Sequence, residues 1–271
     1  MKTVSLKSGL KMPALGFGTW QLKGDDAKNA VSYALEIGYR HVDTADAYGN
    51  HIEVGKGIKE SGVSREQIFL TSKVFYDSLE PKQIIATGER ALKELGVDYL
   101  DLFLLHWPNR SIPIADQLNA MQELKNRGFV KAIGVSNYTI HHLKDALETE
   151  IEFEVNQVEF HPSLNQKDLK QFCDDNHIII TAYSPIAQGQ DLNLPEVVEL
   201  AKKYKKSQSQ IILNWLISIG LVAIPRSAKK KHIKDNLGAL DWEMQQADIE
   251  KLSGIDKGNR IVIPAWADFE Y

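Results

Sequence analysis

Tyr99-Leu100-Asp101-Leu102-Phe103-Leu104-Leu105-His106-Trp107-Pro108 decides the fold. Its apolar residues run almost without interruption instead of alternating with polar ones. That is how a strand reads when both of its faces are buried in a parallel sheet. The same texture recurs at residues 67–74, 130–135, 154–160, 178–183 and 221–224, with shorter strand candidates at 14–16 and 41–42. Between these runs the apolar period lengthens to that of a helix. Ala27, Ala30, Val31, Ala34 and Leu35 mark one stripe, Ile84, Ala91, Leu92 and Leu95 a second, and Leu118, Met121 and Leu124 a third. Gly38, Gly96, Gly128 and Gly220 fall where helices end in a left-handed residue. Strand–helix repeats without a linker or a break in composition predict an α/β fold, a (β/α)8 TIM barrel forming one domain over residues 1–271. An open doubly wound sheet is the alternative.

Two segments fall outside the repeat. Residues 4–6 and 10–12 flank Lys7-Ser8-Gly9 and predict an N-terminal β-hairpin at the barrel bottom. The C-terminal tail, residues 259–271, carries Ile261, Val262, Ile263, Trp266 and Phe269 and is too apolar to be a solvated end. It is expected either over one mouth of the barrel or against an outer helix.

The chain has 271 residues, 43% hydrophobic and 25% charged, with a formal net charge of −4. No basic field points to nucleic acid or to an anionic membrane. Lys229-Lys230-Lys231 is too short a run for a polyanion, although one phosphate would suit it. Cys173 is the sole cysteine, which excludes an internal disulfide and a cysteine-based metal site, and it reads as packing. The N-terminus lacks the apolar core of a signal peptide, and no stretch reaches the roughly 18 apolar residues of a spanning helix. A cytoplasmic monomer is expected.

In a barrel of this kind, functional residues stand at the C-terminal ends of the strands. Reading off those ends yields Asp43, Lys73, His106, Ser136-Asn137, Gln157, Tyr183-Ser184 and Arg226-Ser227. Together with Tyr48, the first three suit proton delivery to a developing alkoxide. A tyrosine's ordinary pKa of about 10 makes it a slow acid at neutral pH, and a neighbouring ammonium favours its phenolate. A buried carboxylate would hold that ammonium in place, and a neutral imidazole N–H would orient the oxygen. The plainer alternatives are Asp43 as a helix N-cap before Thr44-Ala45, Tyr48 as a loop aromatic before Gly49-Asn50, and His106 as a core histidine. Lys73 is harder to dismiss, because strand ends seldom bury an unpaired lysine. The other histidines (His41, His51, His141, His142, His161, His177 and His232) lack metal-ligand spacing, so no metal is expected.

These pieces resemble the aldo-keto reductase superfamily. The matching motifs are Leu15-Gly16-Phe17-Gly18-Thr19-Trp20, Gly38-Tyr39-Arg40-His41-Val42-Asp43-Thr44-Ala45 and Tyr48-Gly49-Asn50, followed by Leu104-Leu105-His106-Trp107-Pro108 and Ile133-Gly134-Val135-Ser136-Asn137. Asn156-Gln157-Val158-Glu159, Ala182-Tyr183-Ser184-Pro185 and Ile224-Pro225-Arg226-Ser227 complete the series. The resemblance implies an NADP(H)-dependent reductase of small-molecule carbonyls. Tyr48 would be the general acid, Lys73 and Asp43 its tuning pair, and His106 the residue that orients the substrate. It further implies Gly18, Thr19 and Asp43 beside the cofactor, and Ser136, Asn137 and Gln157 on the nicotinamide carboxamide. Tyr183 would stack on the nicotinamide ring, with Ser184, Pro185, Ile186 and Gln188 near the pyrophosphate. Ile224, Arg226, Ser227 and Lys229 would lie at the adenosine ribose and its 2′-phosphate, with His232, Asp235 and Asn236 beyond. Trp20, Phe75 and Trp107 would line the substrate pocket with Tyr48 and His106.

Compact length, Trp107-Pro108-Asn109 without a long following loop and the tail Asn259-Arg260-Ile261-Val262 most resemble bacterial 2,5-diketo-D-gluconate reductase B and methylglyoxal reductase types. Three positions depart from the family pattern. His51 replaces a glutamate, Ile186-Ala187 replaces Leu-Gly, and the family's Lys-Ser reads Arg226-Ser227, whose guanidinium suits a phosphate, while His232 replaces a later arginine that would read the 2′-phosphate. The last implies NADPH preference with tolerance of NADH. Two rival readings are a barrel aldolase using Lys73 as a Schiff-base amine, and a regulatory subunit of the same fold. The crowding of Lys73 by Asp43 and Tyr48 weighs against the first. The start of the hairpin at residue 4 weighs against the second, whose members carry additional N-terminal segments.

Overall fold

The computed structural model describes residues 2–271. A two-stranded antiparallel hairpin, β1 (Thr3–Ser5) and β2 (Lys11–Pro13), precedes eight parallel strands paired in chain order. These are β3 (Phe17–Gly18), β4 (His41–Asp43), β5 (Phe69–Val74), β6 (Leu100–Leu105), β7 (Val130–Ser136), β8 (Val155–Glu159), β9 (Ile179–Tyr183) and β10 (Val222–Ala223). The sheet closes on itself through a parallel bridge between Leu15 and Ala223, with Gly16 N–H donating to the Ala223 carbonyl at 2.8 Å and Ala223 N–H to that of Ala14 at 2.9 Å. The first strand therefore begins later than residues 14–16 suggested. That stretch bonds to β10 and, through Ala14 N–H, to the Lys2 carbonyl, and the ladder to β4 starts at Phe17.

Helices alternate with the strands: α1 (Gly24–Glu36), α2 (His51–Glu60), α3 (Pro81–Leu95), α4 (Ile114–Asn126), α5 (Ile140–Leu147), α6 (Lys167–Asp175), then α7 (Pro195–Tyr204), α8 (Gln208–Ser218), α9 (Lys230–Leu237) and α10 (Gln246–Ser253). The strand–helix repeat holds with two helices in excess of it. Both α7 and α10 pack on α8. Gly38, Gly96, Gly128 and Gly220 all have positive φ, as the cap positions require.

The pleat divides the core in two. Leu70, Val74, Phe103, Leu105, Ile133 and Val135 face the helices. Phe69, Leu102, Leu104, Ala132 and Val155 face the barrel axis, where Leu6 and Met12 of the hairpin join them and plug the N-terminal end. Burial on both faces explains the uninterrupted apolar runs. With the lower barrel filled by hydrocarbon, inward-facing polar side chains gather at the upper end. Among the described residues, no helix is long and apolar enough to cross a membrane.

The seam of the barrel sits beside the upper cavity and is tight. A Cβ on Gly18 would lie 2.8 Å from the Ile224 carbonyl oxygen, a backbone atom that cannot swing aside. Gly18→Ala should cost about 1–3 kcal/mol through forced separation of β3 from β10. A fall in thermal midpoint would show it, whereas an unchanged melt would mean that the seam yields.

Candidate active site

β5 turns Lys73 inward one residue before its end, and β4 turns Asp43 inward as its last residue. Lys73 is 0% and Asp43 1% exposed. The ammonium uses all three of its hydrogens, donating to Asp43 Oδ1 at 2.6 Å, to the Thr44 carbonyl at 2.8 Å and to Tyr48 Oη at 3.4 Å. Gln157 Nε2 donates to the other carboxylate oxygen, Oδ2, at 2.8 Å. Strands β4, β5 and β8 thus meet in one polar knot. A lysine with every donor engaged and no exposed surface offers no amine for a Schiff base, which removes the physical ground for the aldolase reading.

Tyr48 ends a 3-10 turn, Asp46–Tyr48, that closes on Gly49 at φ 56. The turn is pinned from below by Asn50, which is buried. Thr44 Oγ1 donates to Asn50 Oδ1 at 2.8 Å, and Asn50 Nδ2 donates to the carbonyls of Thr19 and Leu22, both at 3.0 Å. Lys23 Nζ also donates to the Tyr48 carbonyl. Burial, then the Asp43 charge, pushes the Tyr48 phenol well above its ordinary range. A neighbouring ammonium on its own favours the phenolate. In this site desolvation of the phenolate prevails, so Tyr48 keeps its proton throughout the neutral range. Lys73 is itself drawn down by burial, with Asp43 opposing.

His106 follows β6, its N–H donating to the Val74 carbonyl at 2.9 Å. Its ring meets those of Tyr48 and Phe75 edge-on at 5.7 Å each. Burial and then Lys73 hold its pKa far below the usual histidine value, so the imidazole is neutral. Asn137, at φ 64, donates to the His106 carbonyl at 2.9 Å and accepts from Tyr183 Oη at 2.7 Å. Ser136 is buried and donates to the Gln157 carbonyl at 2.7 Å.

Asp43, Tyr48, His106, Asn137, Gln157 and Tyr183 floor a cavity of about 730 Å³ at the C-terminal mouth. One wing is aromatic, with Trp20, Phe75 and Trp107 joined by Trp266. The Trp266 ring stacks on Tyr76 at 5.1 Å and 9°. The other wing is lined by Gly18, Ser184, Pro185, Ile186, Gln188, Ile224 and Arg226. There Ser184, Ala187, Gln188 and Gly189 all have positive φ, which curls the backbone after β9. Thr19, Lys73 and Ser136 lie buried outside the cavity lining. Ser227 is also buried, and its Oγ accepts from Lys229 N–H at 3.0 Å. Lys229 and His232 are exposed outside the cavity at α9. Asp235 accepts from Ser207 Oγ at 2.6 Å, and Asn236 is buried.

The sequence reading missed Gln21, Ala47, Gly189, Pro225 and Pro264 among the lining residues, as well as the brace formed by Asn50. Gln21 faces Arg226 across the seam and accepts a hydrogen bond from it, a contact between positions too distant in sequence to leave a local signal. Val262 and Trp266 also line the cavity, and the apolar tail had announced them. The tail does cross the mouth. Asp46, His51 and Glu94 bring potential ligand atoms within 4.8 Å of one another, but Arg90 Nη2 lies 2.7 Å from Asp46 and already compensates that charge. Cys173 is buried, and burial pushes its thiol up to about 12, which leaves it inert.

Lys73→Met should cost about 3–5 kcal/mol by stranding the Asp43 carboxylate, and pairing it with Asp43→Asn should restore part of that loss. Urea unfolding of the single and double variants measures both. A single variant as stable as the parent would mean that the pair carries no coupling.

The sequence model of the aldo/keto reductase family matches residues 14–257. The chain is 42% identical to the glyoxal reductase of Bacillus subtilis over 261 residues, covering 96% of this chain and 94% of that one. It is 37% identical to the glycerol 2-dehydrogenase (NADP(+)) of Saccharomyces cerevisiae over 304 residues, covering 99% and 96%. Among solved structures, a candidate 2,5-diketo-D-gluconic acid reductase B superposes with a TM-score of 0.94 at 32% identity, covering 98% of this chain and 96% of that one.

Proposed function

We propose, from the premise that this chain belongs to the aldo/keto reductase family, that it reduces small aldehydes and ketones with NADPH and that Tyr48 delivers the proton. The observation that carries this reading is the Lys73 ammonium, fixed on Asp43 and directed at the Tyr48 hydroxyl from beneath the floor of a cavity that Tyr48 and His106 line.

The cavity fits the cofactor. Its volume lies in the range of small-molecule sites, and Asp43, Asn137, Gln157 and Tyr183 face into it at the floor. The curled segment from Ser184 to Gln188 would hold the pyrophosphate, and Arg226 would offer its planar fork to the 2′-phosphate. When bound, NADPH supplies the hydride. The protein's own part is the proton and the placement of the carbonyl. Neutral His106 can donate an N–H to the carbonyl oxygen and aim it at Tyr48. As negative charge develops there, the phenol gives up its proton, and the Lys73 ammonium stabilises the phenolate so formed. Asp43 keeps the ammonium charged and in place. Aromatic walls with an open mouth suit methylglyoxal, diketo-sugar acids and aromatic aldehydes alike, and the glyoxal reductase relative supports a small dicarbonyl.

Tyr48→Phe should lower kcat for carbonyl reduction by about 10²–10⁴-fold, the usual contribution of a positioned general acid, while NADPH still binds with parental affinity. Near-parental turnover would remove Tyr48 from the chemistry. NADPH oxidation should be followed with methylglyoxal, a diketo-sugar acid, an aromatic aldehyde and an aliphatic ketone. Because His106 stays neutral and Tyr48 protonated, the pH profile of kcat should show no break near 6.5, where an unperturbed histidine titrates. Arg226 without a second arginine at position 232 implies a higher kcat/KM with NADPH than with NADH, but a measurable one with both. Equal values would refute the preference.

A further inference from the structure

A second buried charge cluster, outside the proton-transfer machinery, stands where two of the cavity's walls begin. Glu159 ends β8, His161 follows two residues later, and Asp191 belongs to the segment after β9; all three are buried. His161 Nε2 lies 2.9 Å from Glu159 Oε1, and its Nδ1 lies 3.1 Å from Asp191 Oδ2. An imidazole with a carboxylate at each nitrogen donates from both and is the charged form. Burial alone would lower the His161 pKa, but its hydrogen bonds to the Asp191 and Glu159 carboxylates outweigh it and raise it. Ser163 completes the cluster, donating to Asp191 through Oγ at 2.6 Å and through its N–H at 2.9 Å.

Each carboxylate holds a different wall. Glu159 receives the backbone N–H groups of Ile261 at 2.7 Å and Val262 at 2.8 Å, one on each oxygen. From there the tail carries Val262, Pro264 and Trp266 into the cavity. The Ser163 carbonyl adds bonds from the N–H groups of Lys257 at 2.9 Å and Asn259 at 3.0 Å. Asp191 anchors the segment that carries Ile186, Gln188 and Gly189 along the opposite wing. The remaining charge nearby is Arg260, which bonds Gln166 at 3.0 Å, and Gln166 in turn bonds the Glu159 carbonyl at 2.6 Å. Charge-assisted hydrogen bonds in a dry site are strong and directional. A shift of either wall therefore disturbs the histidine that the other depends on.

We infer that Glu159, His161 and Asp191 are positioning residues that join the two cavity walls, so that a cofactor ordering the segment after β9 also sets the tail against the substrate. This rests on the reading that NADP(H) binds in the cavity. The coupling has no counterpart in the Lys73 knot, which shares no residue with it.

Hydrogen–deuterium exchange on the full chain, with and without NADP+, tests the coupling directly. In the parent, NADP+ should slow exchange both at residues 186–193 and at 261–266. In His161→Gln the first segment should still respond and the second should not. In the same variant, KM for an aromatic aldehyde that reaches Trp266 should rise roughly tenfold, as loss of one charge-assisted hydrogen bond predicts. KM for methylglyoxal, too small to lean on the tail, should stay near the parental value. A tail that responds in His161→Gln as in the parent, or that does not respond in the parent, overturns the coupling while leaving the reductase reading intact. Absence of NADP+ binding to the parent by calorimetry overturns both. Should His161→Gln lose its cooperative melt, Asp191→Asn removes one charge at constant shape and is read by the same exchange and KM measurements.

Discussion

Placing an ammonium and a carboxylate at the upper end of a hydrocarbon-filled barrel costs several kcal/mol per ion in lost hydration, and an ion pair alone seldom repays it. In this chain Lys73 and Asp43 offset that cost by saturating each other's surroundings. Every ammonium hydrogen has an acceptor, and both carboxylate oxygens have a donor. The donors and acceptors come from β4, β5, β8 and the turn after β4, so the pair is satisfied only when the barrel is closed and in register. A slip of one residue in β5 would turn Lys73 toward the helices and replace it with Ser72 or Val74. Satisfaction of the buried charges and assembly of the site are therefore the same event.

This dependence explains why so much was legible in the sequence. Lys73 and Asp43 sit inside strand-like apolar runs, where an ionisable residue is costly unless partnered, so their placement alone marks them. His106 and Tyr48 have no such mark. A histidine beside a tryptophan and a tyrosine ahead of a glycine have ordinary uses, and their pairing depends on a turn that Asn50 braces against the distant carbonyls of Thr19 and Leu22. The repeat of strands and helices followed from period and caps, which are local. The start of β3 did not, because residues 14–16 have the texture of a strand but make no ladder to β4 and serve instead as the bridge that closes the barrel. Gln21 and Pro264 also left no trace, since what brings them to the cavity is the path of a loop and of the tail.

The polarity of the site differs from what charge proximity alone suggests. An ammonium 3.4 Å from the phenol oxygen should favour phenolate, yet burial and the Asp43 carboxylate together hold Tyr48 protonated. The same burial holds His106 neutral. The two opposite effects serve one end. On the proposed mechanism the acid is loaded before reaction and the hydrogen-bond donor carries no charge, so the electrostatic preference beneath the floor comes from the Lys73–Asp43 pair. In that mechanism a proton leaving Tyr48 toward an alkoxide would place negative charge where the ammonium already points, and no group would have to move to meet it. A lower resting pKa would gain driving force but leave part of the population without its proton, so the desolvated phenol beside a fixed ammonium resolves a conflict that neither feature resolves alone.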